Sequence, residues 1–193
     1  MAEDPLERFR RWYRDAERAG IPQHDACALA TADRRGRPSV RFVLLKGADE
    51  RGFVFFTDAR SRKGRELAEN PRAALAFYWH DLGRQVRVEG PVRPLPDGEA
   101  DAYWVTRPRE SRLGAWASLQ SAPLSSRAAL LAAWRALRRR YRGRAVPRPS
   151  YWRGYVVVPE AIEFWVRGRF RLHSRERFTR RRESAWRREL LYP

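Results

Sequence analysis

The sequence has little lysine. Two of its 41 basic residues are lysines, Lys46 and Lys63, and all the others are arginines. A planar guanidinium does not replace a compact ammonium on a flexible stem, so a lysine retained in such a chain indicates a position that needs one. The two lysines lie in segments 41–47 and 61–64, which combine cations with apolar residues or glycine. We treat both segments as candidate binding elements, with chance placement as the open alternative.

The sequence also has little cysteine and no long apolar run. Its single cysteine, Cys27, cannot form an intrachain disulfide, which is typical of a reducing compartment. Cys27 lies within the apolar run 26–30, which favours a place in the core over a role as nucleophile. No run approaches the ~20 apolar residues of a membrane span, and the acidic start at Glu3 and Asp4 does not match a signal peptide. We expect a cytoplasmic protein with no membrane partner.

Acidic residues are outnumbered, and the formal net charge is +18. Such a charge fits a nucleic-acid partner, or an arginine-rich protein with a site for small anions. The arginines are spread along the chain with clusters at 138–140 and 180–182, and no zinc-finger spacing or basic heptad accompanies them. We therefore expect no nucleic-acid partner, and keep a basic nucleic-acid-binding protein as the third functional hypothesis.

The pattern of the chain predicts an α+β fold that is mainly β. Its 193 residues predict a single domain, residues 1–193. Asp4-Pro5 starts a helix over about 5–19, and a helical insertion is expected over about 97–142. A short helix is predicted at about 61–69, ahead of Asn70-Pro71. Predicted strands are 26–31, 39–46, 52–57, 73–79, 85–92, 152–158, 161–166 and 170–174, with a last hairpin toward Trp186. This order favours an antiparallel barrel with peripheral helices.

The common sequence motifs of nucleotide and metal sites are absent. There is no GxGxxG, no phosphate-binding Walker loop and no HExxH. The histidines His24, His80 and His173 have no acidic or cysteine partner at ligand spacing, so we predict no metal. The remaining candidates are cations, hydroxyls, amides and aromatics. These groups suit a phosphorylated aromatic ligand, because cations and hydroxyls bind phosphate and apolar walls hold a ring.

Two of four candidate clusters contain the lysines. Alternation in strand 41–46 places Arg41 and Val43 on one face and Phe42, Leu44 and Lys46 on the other. We expect this strand to be mostly buried between its cations, although strand-end charges in solvent are the alternative. Segment 61–63 lies at a predicted helix N-terminus, where backbone N–H groups favour phosphate; a solvated first turn is the alternative.

The other two clusters lie further along the chain. Tyr103 and Arg107 are four residues apart and can share a helix face, while Ser111 lies past Pro108 and can cap the next helix. In a strand, Arg171, His173 and Arg175 share one face, which indicates a site for an anionic or electron-rich ligand. Neither cluster identifies a ligand by itself.

Long motifs in a fixed order carry a resemblance to a known family. They are RFVLLKG (41–47), FVFFTDARSRKGRELAENPRAALAFYWHDLGRQVRVEG (53–90), RPRESRLGAWASLQSAPL (107–124), IEFWVRGRFRLHSR (162–175) and AWRRELLYP (185–193). The chain resembles the pyridoxamine/pyridoxine 5′-phosphate oxidases over about residues 4–193. The resemblance implies an FMN-binding split β-barrel and a homodimer with FMN in clefts between the subunits.

The resemblance also implies roles for residues and a reaction. The implied FMN contacts are Arg41, Val43, Leu44, Lys46, Phe56, Thr57, Arg62, Lys63, Gln85, Gln120, Ser121, Trp165 and Arg175. The implied substrate contacts are Lys46, Tyr103, Arg107, Ser111, Arg171 and His173. Arg171 and His173 are the implied catalytic pair, which holds the pyridine ring against the flavin. The implied reaction oxidises pyridoxamine or pyridoxine 5′-phosphate to pyridoxal 5′-phosphate, with hydride transfer to flavin N5 and reduction of O₂ to H₂O₂.

Two departures from the family keep an alternative open. Phe56 stands where the family often has tyrosine, so one hydroxyl contact to the cofactor is expected to be missing. The family's N-terminal arm with an Arg-Arg-x-Tyr element is also not found ahead of the first helix, which predicts a more open site. The alternative is a related split-barrel flavin oxidase or reductase of the phenazine-pathway type, with another substrate.

Overall fold

In the computed structural model, which describes residues 3–180 and 185–193, ten antiparallel strands form one sheet. They are β1 (Ala26–Ala32), β2 (Pro38–Leu44), β3 (Gly47–Asp49), β4 (Gly52–Asp58), β5 (Arg72–Trp79), β6 (Arg84–Pro94), β7 (Trp152–Val157), β8 (Ala161–Val166), β9 (Ser174–Thr179) and β10 (Arg187–Leu190). Paired neighbours follow the order β10-β9-β8-β6-β5-β1-β2. The end of β6 also pairs with β7, β7 pairs with β4, and β4 pairs with β3. Because β6 changes partner from β8 to β7 along its length, the sheet curls. A late strand, β7, thus pairs with the early strand β4.

Helix α1 (Pro5–Arg18) covers the core of the curled sheet. It starts where the sequence predicts, because the Leu6 amide donates to Asp4 Oδ1 at 2.9 Å and Pro5 takes the first helical position. Its buried side chains recur at helical spacing; they are Leu6, Phe9, Trp12 and Ala16. The Phe9 ring meets the Phe53 ring edge-on at 4.7 Å, which joins α1 to β4.

The predicted insertion consists of three helices, and the first two approach the sheet. They are α3 (Asp97–Thr106), α4 (Arg109–Ala117) and α5 (Arg127–Arg140); the remaining helix, α2 (Arg62–Glu69), precedes β5. Trp104 of α3 is buried and donates from Nε1 to the Val146 carbonyl at 2.8 Å. Trp104 and Leu113 form a second core with Trp152 of β7, so α3 and α4 are held beside β4 and β7. Across residues 3–180 and 185–193, no helix has the length and apolarity that a bilayer crossing needs.

Strand β2 is not mostly buried, contrary to prediction. It is an edge strand, paired only with β1 in the described sheet, and one of its faces has no partner. Val40 and Phe42 are 69% and 77% exposed, whereas Arg41 and Val43 turn toward the protein. The alternation of Arg41 and Val43 against Phe42 and Leu44 is confirmed. The prediction that this strand is mostly buried was wrong, because a sequence pattern does not show which strand lies at the edge of a sheet.

The prediction of a strand at 170–174 is also wrong. Residues Arg169–Arg171 form a 3₁₀ turn, and β9 begins only at Ser174. Phe170 and Arg171 have left-handed backbone, with φ of 55° and 64°, which no strand can contain. Gly168 permits the turn, since a Cβ there would lie 1.8 Å from the Leu172 carbonyl oxygen. Arg171 and His173 therefore do not share a strand face with Arg175.

The C-terminal hairpin is confirmed by the antiparallel pairing of β9 with β10. Between β9 and β10, residues 181–184 lie outside the described residues. The basic cluster 180–182 falls mostly within that gap. Cys27 is buried at 1% exposure, as the apolar run around it predicts, and burial raises the pKa of its thiol to about 12. A neutral buried thiol of this kind is a core residue.

Candidate functional site

A cavity of about 830 Å³ opens between the edge strand β2, strand β4, the start of α2 and the α3–α4 junction. Small-molecule pockets are commonly ~300–1,000 Å³. The sequence-predicted residues that line it are Arg41, Val43, Leu44, Lys46, Phe56, Thr57, Arg62, Lys63, Tyr103, Arg107, Ser111, Gln120 and Ser121. The fold thus brings four separate segments of the chain to one cavity.

The first turn of α2 forms one end of the cavity. Ser61 caps the helix, because its Oγ accepts from the Gly64 amide at 3.3 Å. Glycine is needed at position 64, where a Cβ would lie 2.3 Å from the Ala59 carbonyl oxygen. This tight turn brings Arg62 and Lys63 to the helix N-terminus, where the helix dipole adds to their attraction for an anion.

Lys63 is a buried cation with neutral partners. Its Nζ donates to Thr57 Oγ1 at 3.0 Å and to Gln120 Oε1 at 2.9 Å. Burial, with a smaller contribution from Arg41, lowers the pKa of this ammonium to about 8. Among the described residues it makes no salt bridge, and the nearby Asp58 offsets the lowering of its pKa only in part. A bound anion would compensate that charge and raise the pKa again.

Arg41 and Arg62 reach the same end of the cavity and share one carboxylate. Glu66 Oε1 accepts from Arg62 Nε at 2.8 Å, and Oε2 accepts from Arg41 NH2 at 3.3 Å. Oε2 also accepts the hydroxyls of Thr31 and Ser39. Burial opposes the ionisation of Glu66, but these hydrogen bonds outweigh it and lower the pKa of the carboxyl to about 2.

Three nearly parallel aromatic rings form one wall of the cavity. The Phe56 ring centroid lies 4.3 Å from that of Tyr103 and 5.1 Å from that of Trp152, and the Tyr103 and Trp152 centroids are 6.0 Å apart. Trp152 lines the cavity, but sequence reasoning missed it. The only signal was an aromatic residue at the start of a strand, and its place beside Tyr103 depends on how the insertion packs on the sheet. The absence of a hydroxyl at position 56 leaves an apolar ring at the centre of the wall.

Arg107 is a half-buried cation at this wall. Its guanidinium carbon lies 4.7 Å from the centre of the Trp152 ring, and NH1 is buried without a hydrogen-bond partner in the described structure. Burial lowers the pKa of this group. Tyr103 and Ser111 line the same part of the cavity, but Ser111 is the third residue of α4 and not its cap, which is Pro108. The predicted capping role of Ser111 is therefore wrong.

Lys46 also lines the cavity, two residues after the end of β2. Its backbone amide donates to the Val54 carbonyl at 2.8 Å, which fixes its position beside β4. The Lys46 ammonium donates to Asp25 Oδ2 at 2.8 Å. Both side chains are 23% exposed, so the pair stands at the edge of the cavity and not in the core.

The remaining predicted residues form a second cluster away from this cavity. Gln85, Trp165 and Arg175 are in register across β6, β8 and β9. Arg175 Nε donates to the buried Glu163 at 2.8 Å, and His173 packs against Trp165 with ring centroids 4.5 Å apart. Strand β8 is four positions from β2 in the sheet order. Within one subunit, the residues that the sequence assigns to one site therefore lie in two separate places.

The orientation of His173 follows from the turn before it. The Gly168 amide donates to His173 Nδ1 at 3.1 Å. Because Nδ1 accepts this bond, the neutral ring carries its proton on Nε2 and can donate from there. Arg171 lies in the same turn with its side chain exposed to solvent.

Two family models together match most of the chain. Residues 13–141 match the model described as pyridoxamine 5′-phosphate oxidase. Residues 152–193 match the model described as the pyridoxine 5′-phosphate oxidase C-terminal dimerisation region.

Full-length relatives are similar in sequence. A pyridoxine/pyridoxamine 5′-phosphate oxidase of Anaeromyxobacter dehalogenans is 59% identical over 180 residues, which cover 93% of this chain and 91% of the relative. A protein of the same name from Rubrobacter xylanophilus is 54% identical over 190 residues, covering 98% and 87%.

Solved structures agree with the architecture. PhzG from Burkholderia lata 383, in complex with tetrahydrophenazine-1-carboxylic acid, superposes with a TM-score of 0.93 at 37% identity, covering 98% of this chain and 93% of that one. A pyridoxamine 5′-phosphate oxidase-related, FMN-binding protein from Nostoc punctiforme superposes over both full chains with a TM-score of 0.78 at 18% identity, which shows the fold alone. The antiparallel split barrel with peripheral helices is thereby confirmed.

Fold and site together define a flavoprotein of the split-barrel class. The chain belongs to the pyridoxamine 5′-phosphate oxidase family, whose cofactor is FMN. The residues present fit that cofactor, because the cavity pairs an aromatic wall with a buried Lys63 that has no salt-bridge partner in the described structure and lies at a helix N-terminus.

Proposed function

We propose that this chain is an FMN-dependent oxidase that converts pyridoxamine 5′-phosphate, pyridoxine 5′-phosphate or both to pyridoxal 5′-phosphate. The observation that carries the proposal is the presence of two cationic ends in one aromatic-walled cavity, which suits two phosphorylated rings side by side. One end contains Lys63 at the start of α2. The other contains Arg107, whose NH1 has no hydrogen-bond partner in the described structure. When bound, FMN supplies a two-electron acceptor that takes a hydride from the substrate and passes the electrons to O₂, yielding H₂O₂.

We assign the α2 end to the phosphate of FMN. Arg41, Arg62 and Lys63 supply positive charge there, and the free N–H groups of the α2 first turn supply donors. Thr57 and Gln120 hold the Lys63 ammonium in place from the cavity wall. The residues that complete this contact set on the same cavity are Val43, Leu44, Lys46, Phe56 and Ser121.

We assign the Arg107 end to the phosphate of the substrate. Its NH1 lacks a partner in the described structure, and a phosphate oxygen that reached this atom would satisfy it. The Tyr103 and Ser111 hydroxyls lie on the same part of the wall and can donate to the same phosphate. Lys46 lines the same cavity, and we assign its ammonium to contacts with either ligand.

A homodimer would bring the second cluster to this cavity. Val40, Phe42 and Leu44 expose an apolar edge at 69%, 77% and 44%. Beside it, Phe42 pairs with Ala28, and Ala28 with Ala76, so small side chains continue the same outer face. Such a flat apolar face suits a second copy of the chain. The match of residues 152–193 to a dimerisation region supports this arrangement, with FMN at the interface.

In that dimer, we assign catalysis to Arg171 and His173 of the partner subunit. The Gly168 amide orients the His173 ring, whose Nε2 can donate to a polar group of the substrate ring. The Arg171 guanidinium supplies a fixed positive charge near the reacting ring, where it stabilises negative charge that develops during transfer. Gln85, Trp165 and Arg175 complete the cofactor contacts from the same cluster.

A second candidate function rests on the similarity to PhzG. At 37% identity and a TM-score of 0.93, that protein has nearly the same backbone, and its bound ligand is a phenazine carboxylic acid. Arg107 could bind a carboxylate as well as a phosphate. The chain would then oxidise a reduced phenazine carboxylic acid in the same cavity.

An anaerobic reduction experiment tests both candidates. The FMN-loaded protein is mixed without O₂ with pyridoxamine 5′-phosphate, pyridoxine 5′-phosphate, unphosphorylated pyridoxamine or a reduced phenazine carboxylic acid. We expect a phosphorylated vitamer to abolish the visible flavin absorption, and admission of O₂ to restore it with formation of H₂O₂. Rapid reduction by the phenazine alone would favour the second candidate. Failure of the protein to bind FMN would contradict both.

A further inference from the structure

Glu66 is a buried anion that the proposed reaction leaves without a role. Its exposure is 5%, yet it does not line the cavity. It lies on α2, one turn after Arg62, and its carboxylate turns toward the sheet. Burying a charge is costly unless it is paired and hydrogen-bonded, so this position demands an explanation.

The contacts of Glu66 join three elements of the fold. Oε1 accepts from Arg62 Nε at 2.8 Å within α2. Oε2 accepts from Arg41 NH2 at 3.3 Å, and also from hydroxyls of β1 and β2 that contact Arg41 themselves. The Arg41 guanidinium, which is 21% exposed, is thereby fixed on several sides. Two arginines thus line the cavity, and the Glu66 carboxylate, which does not line it, orients both of them.

We propose that Glu66 is a positioning residue for the phosphate of FMN, acting through Arg41 and Arg62. This inference rests on the proposed function. An arginine fork binds phosphate well only when its planar donors face the oxygens, and a fixed fork loses less entropy on binding than a mobile one. Glu66 keeps both forks fixed before the ligand arrives. It also offsets part of the mutual repulsion among the Arg41, Arg62 and Lys63 charges.

A comparison of FMN with riboflavin tests this role, because the two ligands differ only in the phosphate. Glu66→Gln keeps the shape of the side chain and removes the charge. Loss of one charge-assisted contact of this kind predicts FMN binding weaker by ~10-fold or more. Riboflavin affinity should change less than ~2-fold, since its ring does not contact the arginines in this assignment. Both affinities are measured by quenching of flavin fluorescence on the apoprotein.

Glu69→Gln is the matched control. Glu69 lies three residues further along α2 and is exposed, so the variant removes the same charge from the same helix. Its FMN affinity should equal that of the unmodified protein. Should Glu66→Gln fail to fold, Glu66→Asp keeps the charge but withdraws the carboxylate by one methylene group, and we expect the same FMN-specific loss.

Adding Glu66→Gln to a double variant that lacks both arginines separates positioning from a general effect on the fold. In a protein that already carries Arg41→Met and Arg62→Met, Glu66→Gln should no longer weaken FMN binding. Equal losses for FMN and riboflavin, or an unchanged FMN affinity in Glu66→Gln, would overturn the inference. If the unmodified protein binds no FMN, the proposed function itself fails, and that result is distinct from both.

Discussion

Replacement of Arg107 by methionine should weaken substrate binding and strengthen the fold. The half-buried Arg107 guanidinium lies over the Trp104 and Trp152 rings, and its NH1 is buried and unpartnered in the described structure. An unsatisfied buried donor costs ~1–3 kcal/mol, whereas the cation–π contacts that methionine would lose are worth ~0.5–2 kcal/mol. Methionine is flexible and apolar enough to remain on the two rings. We therefore expect a net gain in the free energy of unfolding of about 1 kcal/mol.

The effect on catalysis has the opposite sign. A charge-assisted hydrogen bond to the substrate phosphate is worth ~1.5–3 kcal/mol, which corresponds to an increase in KM of ~10- to 150-fold. Because Arg107 contacts the phosphate and not the reacting ring, kcat should change little. Steady-state kinetics with pyridoxamine 5′-phosphate and urea unfolding of the apoprotein measure the two effects separately.

Arg112→Met serves as the control for this prediction. Arg112 Nε is also buried without a partner, but the residue does not line the cavity. This variant should gain stability and keep its KM. The reasoning is refuted if Arg107→Met leaves KM for the phosphorylated substrate unchanged, or if it raises KM equally for unphosphorylated pyridoxamine.

Three further predictions concern the cofactor, the dimer and the chemistry. Because the pKa of Lys63 is about 8 in the apoprotein, FMN affinity should fall as pH rises above 8, where the ammonium loses its proton; fluorescence titrations across pH should show this fall, and Lys63→Met should abolish it. Phe42→Arg should convert dimer to monomer in analytical ultracentrifugation and lower FMN content, whereas Val105→Arg, at another exposed apolar position, should leave the dimer intact. A monomeric native protein would contradict that assignment. Arg171→Ala should lower kcat in single-turnover flavin reduction by ~10²-fold or more; a change in KM alone would show that Arg171 only binds.

Local signals in the sequence were sufficient for most elements. Asp4-Pro5 defined the start of α1, and apolar spacing defined its buried face. Alternation placed Arg41 and Val43 on one face of β2 and Phe42 and Leu44 on the other, because the two-residue period of a strand does not depend on its partners. The long family motifs supplied the predicted site residues, and most of those residues line one cavity.

Other features depend on contacts between distant segments. Periodicity cannot show that β2 is an edge strand, or that Phe170 and Arg171 turn left-handed and end the expected strand. Trp152 joins the cavity only because the helical insertion packs against β7. The division of the expected site into two clusters follows from the order of strands in the sheet, which no local pattern encodes.

The two lysines and the buried Glu66 illustrate what the sequence can predict and what only the tertiary structure decides. The sequence by itself marked Lys46 and Lys63 as exceptional, since a rare residue type is visible in composition. Only the tertiary structure showed that Lys63 is buried among neutral partners while Lys46 pairs with Asp25 at the cavity edge. Glu66 carried no signal in the sequence, where it is one acidic residue on a helix. Its importance arises from packing, which buries its charge and leaves Arg41 and Arg62 as its counter-ions.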